Sequence, residues 1–161
     1  MTQKPMTSEK AYYKLANLCS RKEMAESDLR KKLSEWGLSY SDANAVIAHL
    51  KQERYFDHER YARAFCHDKL HFNGWGRLKI RYMLREKGVE QEFIDAALAE
   101  IDEEQYVAII NETLVAKART LNGKNAEQRR VSLLRFAASR GFEPALFLPI
   151  VSHLTSNYDE D

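Results

Sequence analysis

Between Lys69 and Lys87 the chain carries Lys69, Arg77, Lys79, Arg81, Arg85 and Lys87 against one acid, Glu86. Trp75 stands just ahead of the densest part, held between Gly74 and Gly76. At 100° per residue, Arg77, Arg81 and Arg85 form a stripe beside the apolar residues Ile80, Met83 and Leu84. Cations at that spacing suit a polyanion or an acidic groove, and an adjacent indole supplies an aromatic anchor. The same residues also fit a solvated helix face on which Trp75 only caps the core, and composition weighs the two about evenly. Because these arginines flank the core, reversing their charge is expected to spare the helix. Arg30, Lys31 and Lys32 repeat the pattern earlier in the chain, so Trp75, Arg77, Lys79, Arg81, Arg85, Arg30, Lys31 and Lys32 are the candidate binding residues. The next block has the opposite sign: Glu90, Glu92, Asp95, Glu100, Asp102, Glu103 and Glu104 follow with no base among them. Neighbouring surfaces of opposite potential are the expected result.

Other groups of reactive residues lead nowhere. His67 and His71 are four apart on one helical face, the spacing of two zinc ligands. They lack the intervening glutamate of a metallohydrolase and a third ligand on the same face, so no metal is expected there. Gly74-Trp75-Gly76 has no Gly-Lys-Ser/Thr after it and no strand before it, so it reads as a flexible helix connection rather than a phosphate loop. There is no Gly-x-Ser-x-Gly turn. Cys19 and Cys66 sit inside apolar helical patterns and read as buried thiols, which suits a reducing cytoplasm. Carboxylate pairs at helical spacing read as solvated faces. The sequence points to no catalytic residue, no metal and no cofactor.

The elements that must carry the basic segment follow from a register used three times. Gly37, Gly88 and Gly141 are 51 and 53 residues apart. Eight and four residues before them lie Leu29/Leu33, Ile80/Leu84 and Leu133/Ala137. Directly after them come Leu38, Val89 and Phe142. Six, ten and thirteen residues on are Ala43/Ile47/Leu50, Ile94/Leu98/Ile101 and Phe147/Val151/Leu154. Spacings of four before the glycine and of four and three after it describe two amphipathic helices. Glycine adopts the left-handed conformation that closes the first of them. Lys31, Lys32, Arg85, Lys87 and Arg140 complement the negative helix ends.

A further helical stretch precedes each pair. The first spans Ala11 to Lys22 with Tyr12, Leu15, Leu18 and Cys19. The second follows an Asp57 N-cap with Tyr61, Ala64, Phe65 and Leu70. The third runs from about Asp102 to Thr120 with Val107, Ile110, Leu114 and Ala118. The fold class is therefore all-α, with nine main helices in three tandem three-helix repeats: 10–55, 56–101 and 102–155. Residues 1–9 read as a disordered tail and 156–161 as an acidic one. Pro144 suits a first helical turn, whereas Pro149 should kink the last helix or shift its start. A hydrophobic content of 44% allows a core, a net charge of +1 is nearly neutral, and no apolar run is long enough for a bilayer.

With these residues laid out, the chain resembles the RecX family of bacterial recombinase regulators from about Tyr12 to Leu154. The likeness is strongest from Tyr55-Phe56-Asp57 through Arg60-Tyr61-Ala62 to Gly76, Ile80, Leu84, Lys87-Gly88-Val89 and Ala97-Leu98. Glu26-Ser27-Asp28-Leu29-Arg30-Lys31-Lys32-Leu33 is similar to the family's acidic helix start and Leu-Arg-x-x-Leu core, and Arg140-Gly141-Phe142 fits the looser third unit. His58 stands where a second aspartate is common, and Trp36-Gly37 replaces a Lys-Gly or Arg-Gly turn. The resemblance implies an elongated, curved helical array. It implies a non-enzymatic cytoplasmic monomer that binds the RecA recombinase filament, restrains it in recombination, repair and the SOS response, and touches DNA weakly and non-specifically. A stand-alone helical nucleic-acid-binding protein is the competing reading. The near-neutral charge speaks against it, since dedicated non-specific binders are strongly basic.

Overall fold

The protein is described by a computed structural model over residues 6–156. Those residues form nine α-helices and no strand: α1 (Ser8–Arg21), α2 (Glu26–Glu35), α3 (Tyr40–Gln52), α4 (His58–Asn73), α5 (Arg77–Glu86), α6 (Gln91–Ala99), α7 (Glu103–Arg119), α8 (Ala126–Arg140) and α9 (Pro144–Ser156). Helix α1 starts earlier than its apolar pattern suggests. Thr7 caps it through an Oγ1 that accepts from the Lys10 N–H at 3.2 Å, so Ser8 and Glu9 are helical rather than part of a tail. Residues 1–5 and 157–161, which carry the rest of the two expected tails, lie outside the described residues.

The three glycines end α2, α5 and α8 in the same way. Their φ angles are +80°, +79° and +87°. In each turn the next residue's N–H donates to a carbonyl five positions back: Leu38 to Leu33 at 3.1 Å, Val89 to Leu84 at 3.1 Å and Phe142 to Ala137 at 3.2 Å. The glycine N–H donates three back, to Ser34, Arg85 and Ala138. These paired bonds satisfy carbonyls that a helix end leaves open. Helix α3 closes with the same bonds but no glycine, because Arg54 takes φ +58° and Tyr55 N–H reaches the Leu50 carbonyl at 2.9 Å. Asp57 caps α4 by accepting from the Arg60 N–H at 3.0 Å, and that bond holds its carboxyl below the usual carboxylate range. Pro144 opens α9, which runs on through Pro149 without a shifted start.

The repeated apolar register is the core. Leu29, Leu33, Ile80, Leu84, Leu133, Ala137, Ile94, Leu98, Phe147 and Val151 are all buried. On the leading helices the expected Leu15, Tyr61, Leu70, Ile110, Leu114 and Ala118 are buried, joined by Ala11 on α1, Ala62 and Cys66 on α4 and Tyr106 on α7, while Tyr12, Leu18, Cys19, Ala64, Phe65 and Val107 stay partly exposed. The final helix seats Thr155 rather than Leu154, and the Thr155 hydroxyl donates to the Val151 carbonyl at 2.8 Å.

Two compact units divide the chain. The first runs through Ala64 and adds Leu84–Asp95; α1 and α2 pack on α3 there, around Leu15, Leu29, Leu33, Ile47 and Leu50. The second joins Phe65–Met83 to the chain from Ala96 onward, and α7, α8 and α9 pack on one another within it. Helices α4, α5 and α6 contribute residues to both units. Among the described residues no helix is long and apolar enough to cross a membrane.

Candidate partner-binding surface

The basic helix α5 begins with no Ser, Thr or Asp cap, so its first N–H groups need other acceptors. In the second compact unit they find them on α7 and on the end of α8. Gly76 N–H donates to the Arg140 carbonyl at 2.6 Å, Leu78 N–H to the Gly141 carbonyl at 3.0 Å, and Arg77 N–H to the Tyr106 hydroxyl oxygen at 3.0 Å. The Arg140 side chain donates to the Asn73 carbonyl at 2.7 Å. The backbones approach so closely that a Cβ on Gly76 would collide with the Gly141 carbonyl, and one on Gly141 with Lys79 Cβ. The Gly74-Trp75-Gly76 connection is thus a pinned joint and not a flexible one.

Arg77, read from the sequence as the first cation of the stripe, is turned into this joint. Its guanidinium donates to Glu143 at 2.6 Å and to Glu103 at 2.7 Å, and lies 4.2 Å from the centroid of the Tyr106 ring. The fully buried Tyr106 donates its hydroxyl proton to Glu143 at 2.5 Å. Burial works against the Arg77 charge, but the bonds to Glu103 and Glu143 outweigh it and raise its pKa. With its side chain only 22% exposed, Arg77 is a polar pin within the unit. A glutamate at 77 would face Glu103 and Glu143, so charge reversal there would strain the fold rather than report on binding.

The remaining cations differ in what holds them. Lys69 Nζ lies 4.9 Å and Lys79 Nζ 4.3 Å from the Trp75 ring centroid, while Phe65 meets that ring edge-on at 6.2 Å. Trp75 is half-buried rather than projecting, and its backbone N–H donates to the Lys69 carbonyl at 2.9 Å. Neither lysine has a carboxylate partner among the described residues, so each ammonium rests on a π face. Arg81 is half-exposed and engaged, and Arg85 is exposed and donates to the Gln91 amide oxygen at 3.0 Å. In the first unit Arg30 is tied to Glu26 at 3.2 Å and to Asn44 at 2.9 Å, whereas Lys31 is exposed and Lys32 half-exposed. There Lys14 Nζ lies 5.5 Å from the Trp36 ring, a weaker version of the same pairing. The structure therefore sets Trp75 and Lys79 together, adds Lys69 and Phe65 to them, and draws Arg77 away. The acid-free run from Lys69 to Arg85 is the one sequence signal that pointed to Lys69.

The other reactive residues have local roles. His67 and His71 stack obliquely, ring centroids 4.6 Å apart, and among the described residues no group of three or more His, Cys, Asp or Glu side chains is placed to hold a metal. Cys66 is buried, which pushes its thiol up to about 12, and Cys19 is raised by partial burial. His58 caps α2, which has no capping side chain of its own at Ala25. Its Nε2 accepts from the Glu26 N–H at 3.0 Å, so its Nδ1 carries the proton shared with Glu90 at 2.8 Å. Burial opposes the Glu90 charge, yet its backbone and His58 hydrogen bonds prevail and lower its pKa. The adjoining cleft of about 290 Å³ has Phe56 and Phe93 on its walls and charges of both signs, Lys51, Arg54, Asp57 and Glu90, so it selects no ligand class.

Nine helices among the described residues, with a thrice-used turn and a basic middle helix, define a class of all-α tandem-helix proteins. Two solved structures share this fold. One is a crystal structure of regulatory protein RecX, with a TM-score of 0.82 at 22% identity over 89% of this chain and 72% of that one. The other is RecX from Lactobacillus salivarius, with a TM-score of 0.73 at 15% identity over 96% and 97%. Residues 57–98 match the family described as RecX, second three-helix domain. Regulatory protein RecX of Clostridium perfringens strain 13 is 31% identical over 134 residues, 82% of this chain; the chain spans only 62% of that relative's length. The Haemophilus influenzae PittEE protein of the same name is 25% identical over 153 residues, covering 94% and 99%. The chain belongs to the RecX family of regulatory proteins.

Proposed function

We propose that this protein binds the RecA recombinase as a filament on DNA and restrains its ATP turnover, growth and strand exchange by binding, without catalysis. Family membership sets the frame. The single observation that supports a binding surface is the Trp75 cluster, in which Lys69 and Lys79 lie against one indole with no carboxylate partner among the described residues. Most other cations of the basic segment are already engaged, so this cluster offers free charge to an anionic partner at little cost of reorganisation. A filament presents both protein and phosphate, and occupying its surface blocks monomer addition. Direct binding to bare nucleic acid is the weaker reading at a net charge of +1.

The test is capture on filaments of the host's recombinase, formed on single-stranded DNA with a non-hydrolysable nucleotide, beside an assay of DNA-dependent ATP hydrolysis. Wild type is expected to bind and inhibit. A Lys69→Glu, Lys79→Glu double variant should keep its thermal unfolding profile, bind at least about tenfold more weakly and show a flatter salt dependence. Equal capture on bare single-stranded DNA without recombinase would replace this reading with the nucleic-acid one.

A further inference from the structure

Helix α5 has a third face besides its core side and its cations. Ile80 is fully buried, and roughly opposite it, at i and i+4, stand Leu78 and Tyr82, which are 49% and 61% exposed. A helix face that meets only water ordinarily carries Lys, Glu or Gln at such positions. Here the outward strip of a charged helix holds a leucine and a tyrosine instead. Tyr82 has no ring contact and no hydrogen bond to another side chain among the described residues, so nothing within the fold explains its exposure. Lys79 lies beside Leu78, and from Lys69 through Arg85 the chain contains no carboxylate.

We infer that Leu78 and Tyr82 are an apolar anchor pair that inserts into a protein groove with an apolar floor and an acidic rim. Paired i, i+4 anchors are the signature of a helix laid into a groove, and tyrosine is among the residues enriched where binding energy concentrates. The chemistry of the strip selects the occupant. A phosphate backbone gains nothing from a leucine at the outermost position, whereas an apolar groove does. A second copy of this chain would bring one acid-free basic segment against another, so self-pairing is opposed by like charge. Carboxylates around the groove would complement Lys79. This inference rests on the reading that the partner is the recombinase; it adds that the contact is a protein groove and that its centre is apolar.

The experiment compares Leu78→Ala, Tyr82→Ala with Lys69→Glu, Lys79→Glu in co-sedimentation with recombinase filaments across a range of salt. Alanine keeps the helix propensity, and both sites are exposed, so the double alanine variant should retain the wild-type circular dichroism and unfolding midpoint. Expected is a loss of about tenfold in affinity at every salt concentration with the wild-type salt slope preserved, since no ionic contact has been removed. Leu78→Met, which keeps apolar bulk, should bind as wild type does. Wild-type affinity in the folded double alanine variant overturns the inference. So does an equal loss of binding to single-stranded DNA alone, or a wild type whose self-association disappears in the variant. A wild type that does not sediment with filaments at all overturns the proposed function and this inference with it.

Discussion

The guanidinium of Arg77 reaches carboxylates that lie 26 and 66 positions away in the chain, Glu103 and Glu143. Neither separation is helical, so no local pattern distinguished Arg77 from Arg81 and Arg85; only the packing of α7 and α9 near the start of α5 did. Tyr106 was hidden for the same reason. Its neighbour Val107 fits the apolar period as well, and the hydroxyl that makes Tyr106 the better core residue needs Glu143 and the Arg77 N–H to satisfy it. Replacing Arg77 by Met should leave Glu143 and Glu103 without their counter-ion beside a buried phenol. We expect a loss of about 2–3 kcal/mol in urea unfolding. Arg85→Met, which removes only a bond to Gln91, should change the midpoint little.

At the scale of elements, the repeat was legible because helix endings are written locally. A glycine, two apolar residues before it and one after it are enough to specify the paired bonds seen at Gly37, Gly88 and Gly141. The Arg54 ending of α3 escaped notice, since an arginine in the left-handed region has no marker in sequence. Equal turn chemistry does not mean equal surroundings. A Cβ on Gly37 or Gly88 would meet nothing within 4 Å, but one on Gly141 would strike Lys79. Gly37→Ala and Gly88→Ala should each cost about 1–2 kcal/mol, the penalty of a left-handed alanine. Gly141→Ala should cost about 3 kcal/mol or more, because helix α5 must also move away. Similar midpoints for all three in thermal unfolding would mean that the joint at Gly76 and Gly141 yields easily.

On the scale of the whole molecule, sequence periods and compact units divide the chain differently. Periodicity counts residues along one helix at a time, so it marks α4, α5 and α6 as a repeat without indicating that each contributes to two cores. A fragment of residues 102–161 would contain a complete sequence repeat, yet lose Gly76, Arg77 and the pinned start of α5. It should lack a cooperative thermal transition by circular dichroism, whereas the intact chain should show one; a sharp transition in the fragment would show that α7, α8 and α9 suffice. The same division gives the protein a built-in optical instrument. Its only two tryptophans fall one to each unit, Trp36 in the first and Trp75 in the second, each with a lysine ammonium near its ring. Indole emission responds to a nearby charge, so phenylalanine at either position leaves a single native fluorophore that follows one unit, and the fluorophore at Trp75 would change colour as a partner draws Lys69 and Lys79 from its face.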